Sequence, residues 1–214
     1  MKDKKYVLTD ETIEFYGTIL YRIKAMKDFG DVKKGDLGGW IEDEDNLSQE
    51  GNCWVYDNAK VLTNARVCDN ATVYDNAIVC AHARLTHNVK VRDNATVYLH
   101  ACIWHNAEVY GNAEVWDALV SDNATVYGNA KVYGDAHILG DAKIEFDKDY
   151  AVFKNTWSSG DYITWTRSNN MWDVGCFHGT SEELITKAYK DSELSGKCYE
   201  VIVKAQEEIS KLNN

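Results

Sequence analysis

Val55-Tyr-Asp-Asn-Ala-Lys-Val-Leu-Thr-Asn-Ala-Arg-Val-Cys-Asp-Asn-Ala-Thr72 is one six-residue unit written three times, and the chain writes it about sixteen times between residues 55 and 146. Its first position is branched and apolar. Val55, Val61, Val67, Val73, Val79, Leu85, Val91, Val97, Ile103, Val109 and Val115 hold strict register. One five-residue unit then moves the phase by one, and Val120, Val126, Val132, Ile138 and Ile144 continue it. Four places after the branched residue stands a small one, as at Ala59, Ala65, Ala71, Ala95, Ala113, Ala130 and Ala142. A period of six is a short strand plus a corner, and a period sustained this long means a solenoid.

The branched residue fills the core of a triangular coil, and the alanine fits the tight space beside a corner. Asparagine precedes most of these alanines (Asn58, Asn70, Asn94, Asn112) and is expected to supply the left-handed backbone that a corner needs. Three units make a coil of eighteen residues, giving about five coils stacked at roughly 4.8 Å. The unit resembles that of the hexapeptide-repeat left-handed parallel β-helix. That resemblance implies the left hand, whereas generic crossover rules favour the other.

Outside the repeat the pattern changes. Tyr6-Val7-Leu8, Ile13-Glu14-Phe15-Tyr16 and Ile19-Leu20-Tyr21-Arg22-Ile23 read as a hairpin turned at Gly17. Stepping back by six from Ala59 lands on Cys53, Leu47 and Ile41. The solenoid is therefore expected over 41–146, behind an N-terminal β-hairpin cap over 1–40. After Ile144, residues 149–154, 161–167 and 171–177 read as a three-stranded meander. Thr180 and Glu183 form a capping box for a helix over about 181–192, and Gly196 separates it from a second over about 197–212. The expected fold is mainly β: a parallel hexapeptide solenoid with a β cap and a small C-terminal β-β-β-α-α module over 147–214.

The net charge of −11 is spread evenly along the chain. Phosphate contacts need clustered Lys and Arg, so direct nucleic-acid binding is not expected. No apolar run reaches a membrane span and the N-terminus has no signal-peptide core, so the expectation is a cytoplasmic protein without membrane contact. The six cysteines form no CxxC pair and no zinc spacing, which reads as free thiols in a reducing compartment. Asp28-Phe29-Gly30 lacks the companion motifs of a kinase, and the glycines around Lys33-Lys34 lack those of a phosphate loop.

Stacking at eighteen residues sorts the outward side chains onto three faces. The first carries Tyr56, Tyr74, Arg92, Tyr110 and Tyr127; the second carries Leu62, Cys80, Tyr98, Trp116 and Tyr133, flanked by Leu99; the third includes Trp104. Aromatic ladders stabilise neighbouring strands. An outward apolar stripe of this length also exceeds what a monomer ordinarily shows, and Tyr, Trp and Arg are the residue types of binding hot spots. These residues are accordingly the candidate binding surface. His82 pairs with His100, and His87 with His105, each eighteen apart. They read as structural corners without an evident acidic partner, so no metal, cofactor or catalytic residue is expected.

The best-known proteins of the hexapeptide-repeat fold are coenzyme A-dependent acyltransferases with a histidine general base in an intersubunit cleft. This chain shows no long inserted loop to wall such a cleft. The segments Asp28-Phe-Gly-Asp-Val-Lys-Lys-Gly-Asp-Leu-Gly-Gly-Trp-Ile41, Asn46–Val55 and Phe153–Gly179 are similar to those of hexapeptide-repeat proteins of bacteria and their phages, some of them assigned as acetyltransferases by fold alone. A phage origin implies a small accessory protein acting in the host cytoplasm. The expected function is a non-catalytic, anti-CRISPR-like protein that binds and inhibits a host protein or ribonucleoprotein. The alternatives are an acyltransferase, a small-molecule sponge, or a homo-oligomer assembled through the same faces.

Overall fold

The computed structural model describes residues 4–212. Strand β1 (Tyr6–Phe15) pairs antiparallel with β2 (Thr18–Ala25), and β2 with β3 (Leu37–Ile41). The polar Thr9-to-Thr12 stretch does not interrupt β1; it shifts the register between Leu8 and Thr12. Sixteen strands of two or three residues follow, from Trp54–Val55 to Lys143–Ile144. They stack in parallel into three faces, whose sheets have eight, six and five strands. The repeat thus makes about six turns, one more than its length suggested. The extra strand comes from β3, which joins the second face in parallel beside Lys60–Val61.

The first coil corrects the phase expected for it. Ile41 lies beside Val61 and Leu47 beside Val67, so both occupy the branched core position rather than the alanine position. Two additional residues between Leu47 and Val55 restore the register, since Val55 then pairs with Val73. Cys53 does take the alanine place, fully buried, as do the repeat alanines from Ala59 to Ala142 other than Ala118, which is 7% exposed. With every branched repeat residue also at zero exposure, one dry core runs the length of the solenoid.

The corners also differ from expectation. The left-handed backbone falls on the residue before the asparagine, or before the histidine in its place at His100: Asp57, Thr63, Asp69, Asp75, His87, Asp93, Leu99, His105 and Asp122 all have φ between 50° and 63°. Glycine fills this place at Gly111 and Gly128. Asparagine is freed for another task. Asn52, Asn70, Asn88, Asn106 and Asn123 form one side-chain ladder with N–H···O distances of 3.0–3.1 Å. Asn76, Asn94, Asn112 and Asn129 form a second ladder at another corner. Several left-handed aspartates accept a backbone N–H from a neighbouring coil, as Asp93 does from Gly111 at 2.8 Å.

The C-terminal module has four antiparallel strands rather than three: β20 (Tyr150–Lys154), β21 (Tyr162–Thr166), β22 (Met171–Val174) and β23 (Phe177–Gly179). Gly175, at φ +55°, turns the expected third strand back on itself. The capping box at Thr180 opens α1 (Ser181–Asp191) as expected. The second helix, α2 (Glu193–Leu212), starts before Gly196 and includes it. A Cβ at Gly196 would run into the Tyr189 ring, so this glycine lets α1 and α2 approach rather than separating them. Ile163, Trp165, Trp172, Leu184, Ala188, Tyr199 and Val203 close a separate small core here. No helix among the described residues is long and apolar enough to cross a membrane.

Candidate functional site

Two corners of the solenoid are zipped by asparagine ladders; the third is built differently. Its successive coils present Asn64, His82, His100, then a gap, then Asp135. The gap is the five-residue unit. Where the preceding coil runs Tyr98-Leu99-His100-Ala101, this one runs Trp116-Asp117-Ala118, one residue short. The core register is kept, with Val97 beside Val115 and Val115 beside Val132. The loss therefore appears only at the corner, as an indentation between two full-length neighbours.

That indentation is an open notch of about 640 Å³. The preceding coil contributes His100, Cys102 and Trp104, the shortened coil Trp116 to Leu119, and the following coil Tyr133, Gly134, Asp135 and His137. The neighbouring backbone adapts to the short corner. Asp135 donates its N–H to the Asp117 carbonyl at 2.8 Å, and Gly134 and Asp135 are both left-handed. Leu99, a bulky residue in the same unfavourable region at φ +53°, stands at the preceding corner; such strain concentrates at functional places.

The second-face ladder runs past the notch. Tyr98 stacks on Trp116 with centroids 5.3 Å apart, and Trp116 on Tyr133 at 4.6 Å and 3°. Leu62 and Cys80 do not extend it as an open stripe. The β1–β2 hairpin covers that end: Leu20 clusters with Trp40 and Leu62, and Ile13, Phe15 and Cys80 pack against that cluster. Large apolar exposure on this side is instead concentrated at Leu99 (38%), Trp104 (40%) and Tyr133 (47%). The first-face residues lie apart from the notch: Tyr56 stacks on Tyr74, and Tyr110 on Tyr127. The Arg92 guanidinium sits 4.0 Å from the Tyr110 ring centre.

The histidines have acidic partners that their sequence spacing did not reveal. His100 Nδ1 lies 3.1 Å from Asp117 Oδ1, and His105 Nδ1 lies 3.1 Å from Asp122 Oδ1, each partner in the following coil. His137 is not a corner residue at all; it points outward just before Ile138. Its Nδ1 lies 2.7 Å from Oδ1 of the buried Asp173, on β22. His178 Nδ1 is 3.7 Å from the other oxygen of that carboxylate. The Asp173 hydrogen bond holds the His137 pKa above its ordinary value against desolvation, with Asp135 and Asp161 adding to the rise. Among the described residues, no group of three or more His, Cys, Asp or Glu side chains is placed to hold a metal.

Of the candidate surface, the structure thus brings Trp104, Trp116 and Tyr133 to one place, with Tyr98 and Leu99 beside it. It adds His100, Asp117, Asp135 and His137, which were not among the candidates. The signal for them was already in the sequence as the single five-residue unit, because a missing corner residue must leave a dent.

Repeat and topology together define a hexapeptide-repeat β-solenoid protein. A family model described as the YdcK beta solenoid repeat matches residues 65–81 and 118–134, both within the coils. Over 77 residues the chain is 40% identical to a protein of Escherichia coli (strain K12) named Uncharacterized acetyltransferase YdcK. That match covers 32% of this chain and 24% of the relative, so the chain spans about a quarter of the protein it resembles.

Proposed function

We propose that this chain is a non-catalytic interaction protein that docks a macromolecular partner on the third corner and inhibits it. The observation that carries this reading is the clustering of Leu99, Trp104 and Tyr133, exposed, around a notch in an otherwise regular frame. A rigid frame has its ordering cost met at folding, which favours affinity. The resemblance of the flanking segments to phage proteins supports a phage-type accessory role, with a host protein or ribonucleoprotein as target. The test is capture of the partner by tagged protein in a bacterial host, followed by reconstitution with the purified partner. Binding that is lost in a Trp104→Ala/Tyr133→Ala double variant with an unchanged circular dichroism spectrum supports the reading. A discrete homo-oligomer with no partner, indifferent to those changes, overturns it.

A second reading, acyl transfer from coenzyme A, has two observations in its favour. The E. coli relative is named an acetyltransferase, and His137 with the buried Asp173 makes an oriented imidazole–carboxylate pair at the notch. Against it, the residues lining the notch include Asp117 and Asp135 but no Lys or Arg to meet the phosphates of coenzyme A. Calorimetric titration with acetyl-coenzyme A decides: saturable micromolar binding, lost in His137→Gln, would establish this reading over the first. The volume also lies within the range of small-molecule sites, so a nucleotide screen run in parallel tests sequestration.

A further inference from the structure

We propose that the notch is a cation socket, which accepts the guanidinium or ammonium head of an Arg or Lys side chain presented by a basic segment of the partner. This rests on the interaction reading above and specifies the chemistry of what is docked.

Three independent features converge on it. The first is aromatic: Trp104 and Tyr133 line the cavity, with Trp116 behind them stacked on both faces between Tyr98 and Tyr133, and a cation within about 6 Å of an open aromatic face is attracted by the ring quadrupole. Tyr133 ends its ladder, with nearly half its surface open to an incoming group.

The second is charge. Asp117 and Asp135 border the same space. Asp117 is engaged by His100, whereas the Asp135 carboxylate has no ion-pair or hydrogen-bond partner among the described residues. Besides Cys102 and Tyr133, the ionisable side chains lining the notch are thus two carboxylates and the imidazoles of His100 and His137, the latter already held by Asp173. No Lys or Arg lines it. An entering cation would meet uncompensated negative charge, and an entering anion would be repelled.

The third is that the molecule already contains the completed arrangement elsewhere. On the first face Arg92 lies against the Tyr110 ring, with Asp93 at 3.3 Å and Glu108 at 3.7 Å. There the same combination of an aromatic face and two carboxylates is satisfied internally by a guanidinium carried on the ladder itself. At the notch the ring and carboxylates are present without the arginine. A partner's side chain supplies it.

The full chain is titrated with N-acetyl-arginine amide and, as neutral near-isostere, N-acetyl-citrulline amide, reading tryptophan fluorescence and the indole N–H resonances. The arginine probe is expected to shift the indole signals of Trp104 and Trp116, with the citrulline probe weaker by about fivefold or more. Asp135→Asn should bring the arginine response down towards that of citrulline. The fold should hold, because asparagine tolerates the left-handed backbone at this position. Equal responses to both probes, or an arginine response unchanged in Asp135→Asn, overturn the socket. The two proposals fail separately. If the amide titration is silent while Trp104→Ala/Tyr133→Ala still abolishes partner binding, the docking face stands and the socket falls. If partner binding ignores every variant, the docking reading falls, and the amide titration still judges the socket.

Discussion

His137 joins the solenoid to the C-terminal module, since its ring nitrogen meets Asp173 and its backbone N–H donates to Thr164 Oγ1 at 2.9 Å. A histidine whose folded pKa is raised binds its proton more tightly in the native state. Its stabilising contribution is full below the unfolded value of about 6.5 and fades as pH rises through the higher folded value. Thermal midpoints should therefore fall across the window opening near pH 6.5, and His137→Gln should flatten that part of the profile; an unchanged slope in the variant would show that the pair has no such linkage. At the opposite extreme of environment lies Val97, at zero exposure between Val79 and Val115. Val97→Asp would place an unpaired charge in the dry core, at a cost of several kcal/mol, measured as loss of the cooperative chemical-denaturation transition. The buried role of Val97 was legible because the period of six names its position. The role of His137 was not, because Asp173 is 36 residues away on an element outside the repeat.

The corner is the element in which this chain departs from its own rule. The repeat predicted every inward branched residue from Val55 to Ile144, yet it misplaced the left-handed backbone by one position. Asparagine and aspartate both suit that conformation, so composition alone could not say which of the adjacent pair adopts it. The structure decides through hydrogen bonding: the asparagine amides need one another along the stack, and the aspartates accept coil-to-coil N–H groups. Asn94→Ala should break one ladder at two places, costing about 1 kcal/mol or somewhat more, read from urea denaturation against the wild type. The shortened corner permits a converse change. Inserting one asparagine between Asp117 and Ala118 restores a full unit, so the strand-rich circular dichroism spectrum should persist with a similar midpoint while the notch fills. Partner binding should then be lost; undiminished binding by the insertion variant would place the docking surface elsewhere.

The solenoid has a direction, and its two caps answer to it. Along the stack the N–H groups that flank each strand pair donate to carbonyls of the coil that follows, as Trp54 does to Ala71 and Thr96 to Ala113. The first coil is therefore left mainly with spare carbonyls and the last mainly with spare N–H groups. The N-terminal cap brings donors. Tyr6 donates its hydroxyl to the Leu47 carbonyl at 2.6 Å, and the buried Lys5 donates Nζ to the Cys53 carbonyl at 3.0 Å. The C-terminal side brings acceptors: Asp147 takes the N–H of Lys131, Tyr150 that of Tyr133, Thr164 that of His137 and Ser168 that of Lys143. The need for caps was legible from the repeat, since a solenoid end must be covered. Their opposite chemistries were not, because they follow from strand direction and from side chains scattered over three separate segments. This polarity sets the outcome of truncation. A chain ending at Phe146 would keep its coils but lose every one of these acceptors, leaving a row of open N–H groups that template strand addition. The spare carbonyls of its other end stay occupied by Lys5 and Tyr6, so head-to-tail growth is blocked. Two such edges, each offering mainly donors, cannot satisfy one another, so the truncated protein should lose stability and give ill-defined aggregates in light scattering rather than discrete dimers or long filaments. A monodisperse, cooperatively unfolding monomer from the truncated chain would show that the last coil closes itself and that the C-terminal module serves some other purpose.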